Sequence, residues 1–332
     1  MNKKILFLLF FFLFVWNLTI LLFHDSIKYT EHPDKLSKDF ENSESETIDE
    51  LIAVYDHLNY EVNYIPLEEY IVRVISAEMP ISYGLEALKA QAVAARTYTL
   101  YCLKNRNGSH KDGADVCTDY RHCQAYNSPE KIQEVFNPSQ NSLFRQAVYD
   151  TTGQVLCFEG EVINSVYHAS SDGATEDAKN VWGSEVPYLI SVKSENENGM
   201  SGFYSSISLS FDGFTKKLEY AGYDCKYASK NISTFTNESK RVEYVAINLE
   251  NGEILKIPGV EMRSIFALRS CSFDISVKGD NVVFDVRGYG HGVGMSQHGA
   301  KVMTQSGKTY EQVLLHYYSG CEVKNFKEIE KN

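Results

Sequence analysis

The chain has 332 residues, 44 acidic against 32 basic, a formal charge of −12 and a hydrophobic content of 43%. That content is enough for a sizeable core and excludes a disordered chain. The acidic balance excludes a binder of phosphate backbones, which shows a basic patch or stripe, so nucleic acid is set aside as a partner.

At the N-terminus, Lys3 and Lys4 precede an apolar run from Ile5 to Phe23 that only Asn17 and Thr19 interrupt. This is about the length a helix needs to cross a bilayer. The run ends in Phe23-His24-Asp25 without a small-residue cleavage site, which points to a retained anchor rather than a removed leader. Lysines before the run and acids after it predict a cytoplasmic tip at residues 1–4, a single transmembrane anchor at 5–23, and the rest of the chain on the outer side of the cell membrane. Residues 24–50 are rich in Asp, Glu, Ser and Lys, the composition of a flexible, solvated stalk.

The folded part is expected to begin at Leu51, where alternation appears at Leu51 to Val54 and again at Tyr60, Val62 and Tyr64. A helix with Pro66 in its first turn follows, carrying Leu67, Tyr70, Ile71, Val74 and Ile75 on one face and stopped by Met79-Pro80. A second helix is predicted from about Leu85 to Leu103, with five alanines (Ala87, Ala90, Ala92, Ala94, Ala95) that favour helix and permit close approach of neighbours. A loop rich in Gly, His, Asp and Cys runs from Asn105 to Pro129. Beyond a short helix at Gln140 to Asp150, strands are expected at Gln154 to Phe158, Glu161 to Tyr167, Tyr188 to Val192, Val242 to Asn248 and Val282 to Arg287, then a last helix at Thr309 to His316 and a tail at 323–332. Helices, then many strands, then a helix predict an α+β ectodomain over residues 51–322, with catalytic helices packed on a β-rich region.

Glu78 stands out chemically, because the stripe Leu67, Ile71, Val74, Ile75 continues at helical spacing onto it. Burial and the helix C-terminus both disfavour its negative charge and raise its pKa. A carboxyl kept protonated near neutral pH suits general-acid cleavage of a glycosidic bond. The plain alternative is a glutamate at a helix end that reaches solvent. Arg96, three residues after Val93 and four before Leu100, either holds a glycan or anionic group by its guanidinium fork or makes a structural salt bridge.

His110, Cys117, His122 and Cys123 place four zinc-type ligands in one loop, next to Gly108 and Gly113. A structural Zn2+ site is one reading, and a Cys117–Cys123 disulfide outside the membrane is the other; seven cysteines leave one unpaired in any complete disulfide framework. The glycine-rich segment Gly288 to Gly299 lacks the ending of a phosphate-binding loop. Within it His291 and Gln297 either contact sugar hydroxyls or satisfy the tight turns that the glycines allow.

Three sets of motifs carry a resemblance to a known family. They are Glu69-Tyr-Ile-Val-Arg-Val-Ile-Ser-Ala-Glu78-Met-Pro80 with Ala90-Gln-Ala-Val-Ala-Ala-Arg96-Thr-Tyr98; Tyr167-His-Ala-Ser-Ser-Asp-Gly-Ala-Thr175 with Val181-Trp-Gly183 and Pro187-Tyr-Leu189; and Gly288-Tyr-Gly-His291-Gly-Val-Gly-Met-Ser-Gln297-His-Gly-Ala300. In this order, from about Tyr64 to Gly320, the chain resembles the family of stage II sporulation protein D and the amidase-enhancer proteins. The resemblance implies a peptidoglycan lytic transglycosylase that cleaves peptide-free glycan strands to 1,6-anhydro-N-acetylmuramic acid ends during engulfment in endospore formation. It also implies a complex with a peptidoglycan amidase/endopeptidase and a membrane protein of the engulfment machinery. Glu78 falls on the family's catalytic glutamate, Arg96 on its helix arginine, the His/Cys loop on a zinc site of some members, and Ser170, Ser171 and Tyr188 where the family lines its cleft. A hydrolytic glycosidase uses two carboxylates across the bond; Asp172 and Glu176 are the candidates for a second one, in a polar loop where solvation is their competing role. The other functional class is a non-catalytic glycan-binding activator of a partner amidase, which has no need for a carboxylate on a buried stripe.

Overall fold

The computed structural model describes residues 51–106, 110 and 113–329. The expected cytoplasmic tip, anchor and stalk lie outside the described residues, among which no helix is long and apolar enough to cross a membrane.

Strands β1 (Leu51–Asp56) and β2 (Glu61–Pro66) form an antiparallel hairpin with Leu51 opposite Pro66. Its alternation turns Ile52 and Val54 inward, as the sequence pattern predicts. Pro66 then caps helix α1 (Leu67–Glu78), whose buried face carries Leu67, Tyr70, Ile71, Val74 and Ile75. The helix stops because Met79 is extended, at φ −129°, and Pro80 behind it disfavours helical backbone. After a 3-10 turn at Ile81–Tyr83, helix α2 runs from Leu85 to Arg106, three residues past its expected end. Its five alanines are all buried, so other elements close on it from several sides and it has no single apolar stripe.

Short strand β3 (Val116–Cys117) adds to β1 in parallel, followed by helices α3 (Pro129–Val135) and α4 (Pro138–Tyr149). Asn137 and Gln140 form a capping box that starts α4 two residues before its expected beginning. The expected strand Glu161 to Tyr167 divides in two: β4 (Gln154–Phe158) pairs with β5 (Glu161–Val162), and β6 (Tyr167–His168) belongs to a separate ladder. Tyr188 to Val192 is irregular rather than a strand; its backbone bonds go to residues such as Ala178 and Thr175 instead of to a neighbouring strand. Around it lie β7 (Gly173–Ala174), helix α5 (Ala178–Trp182) and β8 (Lys193–Ser194).

Residues 204–287 build their own apolar cluster from two antiparallel sheets. Strands β9 (Tyr204–Ser210), β10 (Ala228–Thr236), β11 (Val242–Leu249), β12 (Ile254–Pro258), β13 (Ser272–Lys278) and β14 (Asn281–Arg287) are ordered β10-β11-β12 and β13-β14-β9, with helices α6 (Phe211–Tyr220) and α7 (Gly259–Ile265) beside them. Phe214 stacks on Phe266 at 5.1 Å, and Phe284 meets both Phe266 and Phe273.

The chain then returns to the first region. Strand β15 (Met295–Ser296) lies parallel to β6, helices α8 (Gln297–Gln305) and α9 (Tyr310–Tyr317) pack on α2, and β16 (Glu322–Asn325) pairs antiparallel with β4 before a last turn of helix, α10 (Phe326–Ile329). The expected tail from residue 323 is therefore part of the fold as far as Ile329: Val323 faces Leu156, and Phe326 and Ile329 cover the core beside α2. The class is α+β, as expected.

Candidate functional site

The last residue of α1 and the first of α8 meet although 219 residues separate them. Glu78 Oε2 accepts from Gln297 Nε2 at 3.2 Å, and Oε1 accepts from the backbone N–H of Ala125 at 2.7 Å. The Tyr167 hydroxyl, whose influence on this carboxyl favours the ionised form, donates to Gln124 Oε1 at 2.8 Å. Desolvation raises the pKa of Glu78, and the Ala125, Gln297 and Tyr167 contacts oppose it only in part. The carboxyl is thus biased toward its protonated form and held in a fixed orientation.

It opens into a cleft of about 530 Å³ lined by Tyr83, Ala169, Tyr289, Gln297, His298 and Lys301 together with the 199–201 turn. Among the described residues lining the cleft, Glu78 is the one carboxylate. Three of these lining residues, Tyr289, Gln297 and His298, come from the glycine-rich segment. Gly288, Gly290, Gly292 and Gly294 all have positive φ, and a Cβ on Gly292 would come within 2.3 Å of Arg241 Cζ. The two readings of that segment divide between its residues: Gln297 touches Glu78, whereas His291 accepts from the N–H of Val293 at 3.1 Å and packs between Trp182 and His168, outside the cleft lining.

Arg96 is corrected from a substrate-binding residue to a structural one. It is 0% exposed; Nε donates to Glu68 Oε1 at 2.9 Å and Nη2 to Oε2 at 2.5 Å, while the remaining N–H groups reach the carbonyls of Gln154 and Val148. The packing of α1 against α2 leaves that guanidinium no path to a ligand. Ser170 and Ser171 are also buried, behind the cleft wall that Ala169 forms. Ser171 Oγ lies 2.6 Å from His168 Nε2, and the Val293 carbonyl fixes the tautomer by accepting from His168 Nδ1. Tyr188 packs on Phe158 and accepts from the N–H of Asn164, away from the cleft lining. Neither proposed second carboxylate faces the cleft: Asp172 pairs with Arg287 and Ser272, and buried Glu176 accepts from Asn180, Asn237 and Ser239.

The four residues of the His/Cys loop converge, their ligand atoms all within 4.8 Å of one another. His110 Nε2 is 3.0 Å from Cys123 Sγ, and His122 Nδ1 is 3.5 Å from Cys117 Sγ and 3.6 Å from Cys123 Sγ. Bonds of about 2.0–2.3 Å to a tetrahedral ion imply donor separations of roughly 3.4–3.8 Å, which the two His122 spacings match and the His110–Cys123 pair undercuts. Both sulfurs are thiols rather than halves of a disulfide. Cys123 is two residues from Ala125, so the cluster directly abuts the amide that holds Glu78.

The family model described as stage II sporulation protein (SpoIID) matches residues 55–158, which include Glu78 and the whole His/Cys cluster. Stage II sporulation protein D of Bacillus amyloliquefaciens is 33% identical over 82% of this chain and 78% of that protein; its counterpart in Bacillus subtilis has the same identity and coverage. The chain belongs to the SpoIID family. The amidase enhancer of Bacillus subtilis, a longer protein, is 30% identical over 76% of this chain and 40% of its own length.

In this SpoIID chain the sequence pattern marks Glu78 and Gln297 but misses Glu197, which has no motif around it and lies in an irregular stretch. Its buried carboxylate accepts from the hydroxyls of Ser194 and Ser296 and from the N–H of Ser171, tying β8 and β15 to the segment that follows β6. Burial lifts its pKa from 4.5 to about 7 against those three donors. Because the folded state holds the proton more tightly than the unfolded chain, this contribution is fully present below pH 4.5 and lost as pH rises through about 7. Relative to Glu197→Gln, the wild type is expected to lose on the order of 3 kcal/mol of stability across that window in denaturant titrations. A constant difference between the two proteins would show Glu197 ionised throughout.

Proposed function

We propose that this SpoIID chain is a lytic transglycosylase cleaving the MurNAc-GlcNAc bond of peptide-free peptidoglycan strands during the engulfment stage of sporulation. The observation that carries this reading is a single, partly desolvated carboxyl clamped by Ala125 and Gln297, with no second carboxylate among the described residues that line the cleft. Glycosidases that use water usually need two. One suffices when Glu78 gives its proton to the departing O4 as the C1–O4 bond breaks, and the resulting carboxylate then takes the C6-hydroxyl proton as O6 closes on C1. Proton and electron pairs balance without water, and the product ends in a 1,6-anhydro ring.

The composition of the N-terminal segment supports a membrane anchor that keeps the ectodomain on the outer side, within reach of the wall. The amidase-enhancer relative supports a functional partnership with a peptidoglycan amidase, which bares the strands that this chain cuts; a membrane protein of the engulfment machinery would complete the complex. The decisive test is mass spectrometry of products from the full-length chain and peptide-free strands. Anhydro ends support the transglycosylase, reducing ends indicate hydrolysis, and intact strands favour a non-catalytic activator.

His110, Cys117, His122 and Cys123 would hold Zn2+ with all four positions filled, so the ion would supply rigidity to the loop and leave no site for substrate. Purified full-length protein is expected to carry about one zinc per chain by elemental analysis, lost in Cys117→Ser or Cys123→Ser. Full occupancy in both variants would move the metal elsewhere.

A further inference from the structure

The cleft of an acidic protein would be expected to be acidic too, yet its charged wall is basic. Lys301 lies on α8 one turn, about 5.4 Å, from Gln297, the residue that touches Glu78. Its ammonium sits 5.2 Å from the centroid of the Tyr83 ring and, among the described residues, has no carboxylate in an ion pair. Burial and the charge of Lys301 keep neighbouring His298 below its usual pKa, and His298 Nδ1 lies 3.0 Å from the Tyr83 hydroxyl, so the positive charge of this wall belongs to Lys301. Tyr289, also in the cleft lining, is backed in the same way: the Arg269 guanidinium lies 5.3 Å over its ring and is anchored by a bond to the Gly202 carbonyl. Lys301 thus shares the cleft lining with a carboxyl biased toward neutrality, and a second cation, Arg269, stands behind the cleft tyrosine Tyr289.

We propose that Lys301, aided by Arg269, is a specificity determinant that recognises the carboxylate of an anionic saccharide: the free lactyl group of N-acetylmuramic acid. This rests on the glycan-cleaving reading and deepens it. The sugar backbone is otherwise neutral. The lactyl carboxyl is an amide while a stem peptide is attached and becomes an anion when the peptide is removed. It hangs from C3 of the ring whose C1 is attacked, so an anion there lies near the scissile bond, and Lys301 lines the same cleft as Glu78. Selection of peptide-free strands thereby becomes charge recognition as well as steric exclusion.

The test uses full-length protein carrying Glu78→Gln and two fluorescent ligands, peptide-free strands with free lactyl carboxylates and the same strands with those carboxylates converted to methylamides. Anisotropy is expected to show about fivefold tighter binding of the carboxylate strands, a preference that shrinks at high salt, survives Lys301→Arg, and falls toward unity in Lys301→Ala. Equal affinity for the two ligands, or a preference that persists in the double variant Lys301→Ala/Arg269→Ala, overturns the proposal; so does failure of folded protein to bind either strand. Product analysis with the wild type judges the cleavage reading separately, because charge preference in binding stands whether or not the strand is cut.

Discussion

Glu78→Gln is expected to lower glycan cleavage by roughly a thousandfold or more, the scale of a lost general acid and base in one residue. The fold should be retained. The amide oxygen still accepts from Ala125, and Gln297 can turn its own amide to offer an oxygen to the new NH2 group. The pH profile carries the finer information. Cleavage begins with protonated Glu78, so the rate should fall as pH rises through its elevated pKa. Gln297 favours the ionised form, so Gln297→Ala should raise that pKa further and move the alkaline limb to higher pH. Wild-type rates in Glu78→Gln would remove the residue from the chemistry, and an alkaline limb unmoved by Gln297→Ala would assign the titration to another group.

The largest loss of stability is expected at Arg96. Arg96→Met leaves Glu68 buried without its cation, and breaking one side of such a pair costs about 3–5 kcal/mol. Adding Glu68→Leu should recover much of this, because removing both charges of a buried pair is often neutral or better. Recovery should stop short of complete, since Gly153 N–H loses its acceptor and the Gln154 and Val148 carbonyls lose a donor. Denaturant titration of the singles and the double measures the coupling. The double variant also separates the two roles weighed for Arg96: a folded double that cleaves strands fits a structural arginine, whereas a folded double without activity would return it to the substrate.

The parts legible in the sequence were those where one residue's surroundings are local. Leu67, Ile71, Val74 and Ile75 define the buried face of α1 by spacing alone, and Glu78 follows from the same stripe. The four residues of the His/Cys loop lie within fourteen positions and meet in space. Arg96 could not be resolved in this way, because its partner Glu68 is on another helix and its sequence neighbours are apolar under either role. Ser171, Tyr188 and His291 sit beside the site in sequence motifs but turn their side chains into supporting packing and hydrogen bonds, and Ser170 is buried beside them. Glu197 was invisible because two of its donors, Ser171 and Ser296, come from segments distant in the sequence, one following β6 and one in β15. In the 204–287 region, β9 alternates serine with apolar residues and has little of the β-branched density that marks a strand.

The contact between Gln297 and Glu78 spans 219 residues, and β16 reaches back to β4 across more than 160. A chain synthesised from its N-terminus at 5–20 residues per second has its carboxylate waiting roughly 11–44 s for the amide that orients it. Over that interval the first two helices can pack, but the cleft has no opposite wall. A nascent or prematurely terminated chain therefore carries Glu78 without the cleft that orients it.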